Sequence, residues 1–431
     1  MSDSDDDEAK PLVPRRLSPR TLPKDLSALH FVRLFASIHI FFVHTLTPPE
    51  FSATSGGQWG RSWVPFFFML SGLGVAHSRL LELSNPKDDA TARPSGTNKP
   101  EPPTPLLPTA STLLRRAASV YPTHVLGVLL DVFNHVHRGE SIHFGTLIAE
   151  LLLVFAWLPT FVFIGDQPPG HEFIVYAYNL PSWFVSVLAF YWLLEPASYA
   201  LATVLWRANL GLASTALSRH FALLRLSVLW IAWVVCWPWC RFPLTWGNTS
   251  WTCIEILSYL HLYLYGMLLA FYLHDRAKRG VPPSRSLASL SAALLLLVFC
   301  VDLKWISAKM PSDTIDLWFC KTDLLMPLHC MLVIGLSEGA DPLARVLSYG
   351  YLPVISRNLA LGVYLLQTPV NQAPWQEWLG RIQTVSFGLR RPLKSIEAAL
   401  KLILVLCAAA LCHTLVQAPG SRLMMRIETR L

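Results

Sequence analysis

Residues 30–44, HFVRLFASIHIFFVH, form an apolar stretch that nonetheless carries Arg33 and His44, two side chains a bilayer resists. They lie eleven residues apart, about three turns of an α-helix, so both project from one face, roughly 16 Å apart along its axis. His30 and Ser37 fall near the same stripe, whereas His39 points away from it. An Arg at the centre of a bilayer costs roughly 2.5–3.5 kcal/mol or more, so two ionisable groups on one face imply a polar interior. A neutral imidazole, with a pKa near 6.5, suits removal of a proton from an alcohol close to neutral pH. The spacing leaves three readings open. Arg33 and His44 can be residues at opposite interfaces, with the arginine snorkelling. His44 can be a general base. Or His30, His39 and His44 can include metal or haem ligands, which the five-residue gap between His39 and His44 opposes by placing them on different faces.

The elements that must position this pair are membrane helices. The chain has 431 residues, of which 53% are hydrophobic and 15% charged, against about a quarter charged in soluble domains. The implied fold is all-α, a polytopic transmembrane bundle. The net charge of +7 comes from short basic clusters beside apolar runs, which orient helices and meet anionic head groups; nucleic acid is not an expected partner. The eight cysteines are scattered, with no CxxC and no zinc spacing, so no metal site is expected. Cys240–Cys253 and Cys320–Cys330 are the two pairs left open as disulfides.

Residues 1–25 begin with an acidic run and end with Arg15, Arg16, Arg20 and Lys24; they read as a disordered cytosolic tail ahead of a signal-anchor helix at 28–46. A membrane domain over 26–418 follows, interrupted by a Pro/Ser/Thr-rich flexible linker at 82–110, and a basic tail closes the chain at 419–431. Further apolar segments lie at 63–78, 113–132, 145–164, 181–205, 221–239, 254–273, 287–303, 322–336, 351–371 and 397–416. Eleven segments result, and about ten crossings are expected. If 145–164 re-enters rather than crosses, the basic loop 274–285 returns to the cytosolic side and both termini lie there. A plasma membrane or a secretory-pathway membrane suits such a protein.

Five stretches in order resemble acyltransferase family 3, a family of integral membrane enzymes that transfer acetyl or other acyl groups, often to sugars. The first is LHFVRLFA with ten residues between Arg33 and His44. The second is Pro65-Phe66-Phe67-Phe68-Met69-Leu70-Ser71-Gly72, whose small residues let helices approach closely. The third, Arg115-Arg116-Ala117-Ala118-Ser119-Val120-Tyr121-Pro122, resembles the family's R-R-x-x-R-I-x-P, with Ser119 in place of its last arginine. The fourth runs from Ser182-Trp183 to Glu195-Pro196, with Leu188 where the family carries glutamate. Leu359–Val370 is similar to the late Y-L-x-H-x-P helix, with Gln367 for histidine.

The resemblance implies acyl transfer from acyl-CoA, as co-substrate rather than bound cofactor, to a hydroxylated acceptor, a glycan or small molecule. It implies His44 and Arg33 as the catalytic pair, with His44 as general base and Arg33, together with Arg115 and Arg116, facing the phosphates of CoA from the cytosolic end, and Ser71, Trp183, Tyr364 and Gln367 along the acceptor passage. The arginines answer equally to topology, and the aromatic residues to interfacial anchoring. A multi-pass transporter, with Asp302, Lys304 and Asp323 along its path, and an inactive scaffold relative are the competing functions.

Overall fold

The computed structural model describes residues 26–45, 57–84, 107–157, 178–179, 181–211, 253–301, 324–372 and 394–429, and every regular element among them is helical. In chain order these are α1 (Ser27–Thr45), α2 (Trp63–Ser84), α3 (Ala110–His137), α4 (Phe144–Leu151), α5 (Ser182–Leu193), α6 (Glu195–Gly211), α7 (Cys253–Lys278), α8 (Leu287–Phe299), α9 (Met326–Glu338), α10 (Pro342–Leu347), α11 (Leu352–Asn371), α12 (Lys394–Cys412) and α13 (Ala418–Glu428). A 3₁₀ turn at Gly57–Ser62 precedes α2, and a π turn at His413–Gln417 joins α12 to α13. The expected N-terminal tail, most of the linker after α2, the segment 221–239, Asp302, Lys304, Asp323 and the cysteines Cys240 and Cys320 lie outside the described residues.

Three helical stretches among the described residues are long and apolar enough to cross a bilayer: Ser27–Thr45, Trp59–Leu83 and Glu397–Glu428. The pair Ser182–Leu193 and Glu195–Ala208, bent by 70°, makes a fourth if it counts as one span. The segments expected at 287–303 and 322–336 emerge as α8 and α9, each of 13 residues, about 20 Å long and shorter than a hydrocarbon core of about 30 Å. These helices do not establish ten or eleven crossings.

α1, α3 and α11 run parallel. Ser27 Oγ bonds Ser348 Oγ just ahead of α11, and Asn371 Nδ2 donates to Thr45 Oγ1 at the other end. Between α11 and α3, Asn134 Nδ2 donates to the Pro369 carbonyl at 2.8 Å. A core of Leu34, Phe41, Val363, Leu366, Val405 and Ala409 seals α1, α11 and α12 together. The main core gathers around α2 and α7, which cross in contact because each presents glycine there. A Cβ on Gly72 would collide with the Tyr263 carbonyl, and one on Gly266 with the Met69 carbonyl. The small residues of the second motif are thus a packing requirement.

Two prolines interrupt the helices beside the cavity described below, and each interruption is braced from another element. Pro122 in α3 has no N–H for the carbonyl of Ala118. That carbonyl instead accepts from Gln417 Nε2 at 3.0 Å and from Ser421 Oγ, while Gln417 Oε1 accepts from the Thr123 N–H at 3.1 Å. Pro369 in α11 frees the carbonyl of Leu365, which accepts from Asn179 Nδ2 at 3.0 Å. The basic C-terminal stretch therefore continues as helix α13, docked on α3 rather than trailing from it.

Within 145–164, the described part does not run straight. α4 ends at Leu151, and Leu153 takes a left-handed conformation with φ 59°. Ser186 Oγ donates to the Leu153 carbonyl, and the Asn179 N–H donates to Glu150 Oε1. Glu150, Asn179 and Ser186 are fully enclosed, and they satisfy backbone groups that neither lipid nor an unbroken helix would satisfy here. Residues 158–164 lie outside the described residues.

Candidate active site

A cavity of about 270 Å³ opens near the end of the bundle where α1 begins. From α1 it receives His30, Arg33 and Ser37, spaced three and four apart as one helix face requires. α2 contributes Phe67 and Ser71, α3 Ser119, and α5 Phe184 and Leu188. α11 supplies Arg357, Ala360, Leu361 and Tyr364 by the same periodicity. The rings of Phe67, Phe184 and Tyr364 meet edge to face, with centroids 5.5 Å apart for Phe184–Tyr364 and 5.7 Å for Phe67–Tyr364. That contact makes an apolar section of the cavity wall.

The two guanidinium groups of the cavity, Arg33 and Arg357, come from different helices, and neither forms an ion pair among the described residues. Among the described residues no carboxylate lines the space. Arg33 is half-buried and Arg357 exposed at the opening. Ser71 Oγ donates to the Phe67 carbonyl and Ser119 Oγ to the Arg116 carbonyl, so both hydroxyl protons stay within their own helices and the oxygens retain acceptor capacity.

His44 lies beyond this cavity on the same helix as Arg33, in the last turn of α1. Its neighbours are the Gln367 side chain of α11 and, at electrostatic range, Arg61 of the turn before α2. Gln367 is fully buried; its Nε2 donates to the Tyr364 carbonyl at 2.8 Å, and its Oε1 has no protein donor among the described residues. Arg357, Ala360, Tyr364 and Gln367 therefore make one stripe along α11, beside the stripe of Arg33, Ser37 and His44 on α1. The two stripes lead from the cavity toward the imidazole. His39 faces elsewhere, its Nδ1 accepting from Trp63 Nε1 at 2.9 Å.

The other residues singled out from the sequence sit differently. Trp183 is one layer behind the cavity, stacked among Phe68, Phe184 and Tyr259. Arg116 is held by Glu195 at 2.6 Å, and the same buried carboxylate takes Arg79 at 2.8 Å. Arg115 reaches Glu428 of α13 at 2.8 Å, joined there by Ser111. The fold thus collects Arg33, Ser71 and Tyr364 into one cavity, sets His44 and Gln367 together beyond it, and engages Arg115 and Arg116 with carboxylates outside it. Arg357 belongs to no motif read from the sequence; its spacing of seven residues before Tyr364 was the available signal.

A family model described as an acyltransferase domain matches residues 26–414, which takes in α1 through α12. The chain belongs to acyltransferase family 3. Searches of curated proteins and of solved structures return no match. Family membership and the apolar helices together make this a membrane acyltransferase. Ser119 and Leu188, singled out in the sequence by the resemblance, both line the cavity.

Proposed function

We propose that this acyltransferase moves an acetyl or other acyl group from acyl-CoA to a hydroxyl of a carbohydrate or small-molecule acceptor, with His44 as general base. The observation that carries the reading is the pair of parallel stripes: Arg33 and Arg357 at one end, His44 and Gln367 at the other, with Ser37 and Tyr364 between them. The donor's phosphates belong with the arginines, because a planar guanidinium binds phosphate oxygens in pairs. The acyl thioester belongs near His44.

In the reaction His44 takes the proton from the acceptor hydroxyl as its oxygen attacks the thioester carbonyl carbon. The tetrahedral oxyanion collapses, the carbon–sulfur bond breaks, and the imidazolium returns its proton to the departing thiolate. Ser71 and Tyr364 on the cavity side, with Gln367 beside the imidazole, orient donor and acceptor.

In this reading the chain crosses its membrane about ten times, in the plasma membrane or the secretory pathway, with the end that holds the start of α1 in the cytosol. The gathering of Arg79, Arg115, Arg116, Arg276 and Arg345 at that end supports the orientation. The donor then binds from the cytosol, and the acyl group is delivered toward the far side.

The test is incorporation of label from radioactive acetyl-CoA into membrane and soluble acceptors, comparing wild type with His44→Ala at matched expression. Loss of incorporation with unchanged membrane insertion is expected. Undiminished transfer by His44→Ala would remove the imidazole from the mechanism, and label crossing proteoliposomes without acylation would favour a transporter.

A further inference from the structure

We propose that Arg357 is a donor-binding residue, which from α11 joins Arg33 of α1 in holding the phosphates of the acyl donor. The inference rests on the acyl-CoA reading and deepens it by assigning where the donor's phosphates are held.

Ser119 and Arg357 open onto the same cavity from neighbouring helices. The third motif of this chain offers Arg115, Arg116 and Ser119 in sequence, yet the two arginines are taken by Glu428 and Glu195. Their charge is already spent on protein carboxylates. Arg33 and Arg357 are different: they face one space, and among the described residues no carboxylate lines it and neither has an ion-pair partner. The other titratable groups in view among the described residues are His30 and Tyr364 on the cavity wall and His413, which faces Arg357 from the turn after α12; none of them is a carboxylate.

Two guanidinium groups converging without an anion are costly unless a ligand supplies one. The ligand chemistry that satisfies both is a group with several anionic oxygens, which two planar forks on separate helices can clamp at once. A diphosphate or phosphomonoester has that character. The wall of Phe67, Phe184 and Tyr364 in the same cavity suits a ligand that is phosphate at one part and apolar or aromatic at another, as the nucleotide-bearing half of a CoA thioester is. Arg357 lies at the opening and Arg33 deeper, so the exposed residue meets the incoming phosphate first.

The experiment is equilibrium binding of tritiated CoA to the full chain purified in detergent, with acetyl-pantetheine, which lacks the phosphates, as competitor. Binding needs no turnover, so it is read independently of His44. Arg357→Ala is expected to weaken CoA binding about tenfold or more, the value of a lost charge-assisted hydrogen bond, and to leave competition by acetyl-pantetheine unchanged. Adding Ser119→Arg to that variant is expected to restore much of the affinity, since it returns a guanidinium to the same cavity. Equal CoA affinity of wild type and Arg357→Ala overturns the proposal. So does an equal loss for both ligands, which marks a packing role. Wild-type protein that binds no CoA overturns the donor reading together with this one, whereas CoA binding without acyl transfer refutes only the chemistry assigned to His44.

Discussion

Glu195 decides whether Arg116 belongs to the architecture or to the donor site. Its carboxylate is 1% exposed, holds Arg79 at 2.8 Å and Arg116 at 2.6 Å, and so ties α2 and α3 to the start of α6. Arg79 is held further by the Tyr199 ring, 4.8 Å beneath its guanidinium. Glu195→Gln keeps the shape and removes the charge, leaving two arginines facing each other. Breaking a buried ion pair from one side costs about 3–5 kcal/mol. Here Arg79 and Arg116 retain 27% and 19% accessibility, so water absorbs part of that cost, and about 2–3 kcal/mol remains. At roughly 2 °C per kcal/mol for a large chain, the midpoint falls by roughly 4–6 °C. The assay is heating of detergent-solubilised protein followed by size-exclusion chromatography, with CoA binding measured on the unheated samples. The Glu195→Gln/Arg116→Met double variant should recover part of the loss, because it removes the uncompensated cation. A Glu195→Gln variant melting within a degree of wild type, alongside an Arg116→Ala variant that melts normally but no longer binds CoA, would refute the reasoning and return Arg116 to the donor site.

Two further outcomes follow from other parts of the fold. Gly72→Ala places a methyl group against the Tyr263 carbonyl; the α2–α7 crossing must open, at a cost of about 1–3 kcal/mol, and the yield of monodisperse protein should drop. Normal yield and melting would show that the helices part freely. In the loop after α3, Arg138 donates hydrogen bonds to Glu140 at 2.7 and 3.1 Å and thereby holds its carboxyl below the usual carboxylate range. A depressed carboxyl stabilises the fold above its unfolded pKa, and that contribution fades as pH falls through the folded value. The pair is exposed, so the effect stays below about 1 kcal/mol. Wild type and Glu140→Gln should therefore converge in acid and separate slightly toward neutrality, and a gap that widens on acidification would reverse the sign.

Much of the candidate site was readable from local spacing because helices convert sequence intervals into faces. Arg33 and Ser37 share one side of α1, and Ser71 and Gly72 sit where small residues let α2 approach a neighbour. Arg115 and Arg116 show where such reading stops. As an adjacent pair of cations they could be expected to face a phosphate, but the carboxylates that engage them come from residues 195 and 428, far along the chain. The stretch 145–164 shows the same limit for backbone: its apolarity suits a crossing, whereas the described part turns at Leu153 and is held by Ser186 of another helix.

By itself the sequence determined that the chain is rich in apolar, membrane-length segments and that Arg33 and His44 share a helix face, which are properties of composition and of intervals within single helices; its acyltransferase type was carried by a family resemblance spread over several motifs. Only the tertiary structure decided which cations face the cavity without a counter-charge, because pairing depends on partners hundreds of residues apart. That is how Arg357, unmarked by any motif, comes to stand across from Arg33 while the arginines of the motif are bound elsewhere.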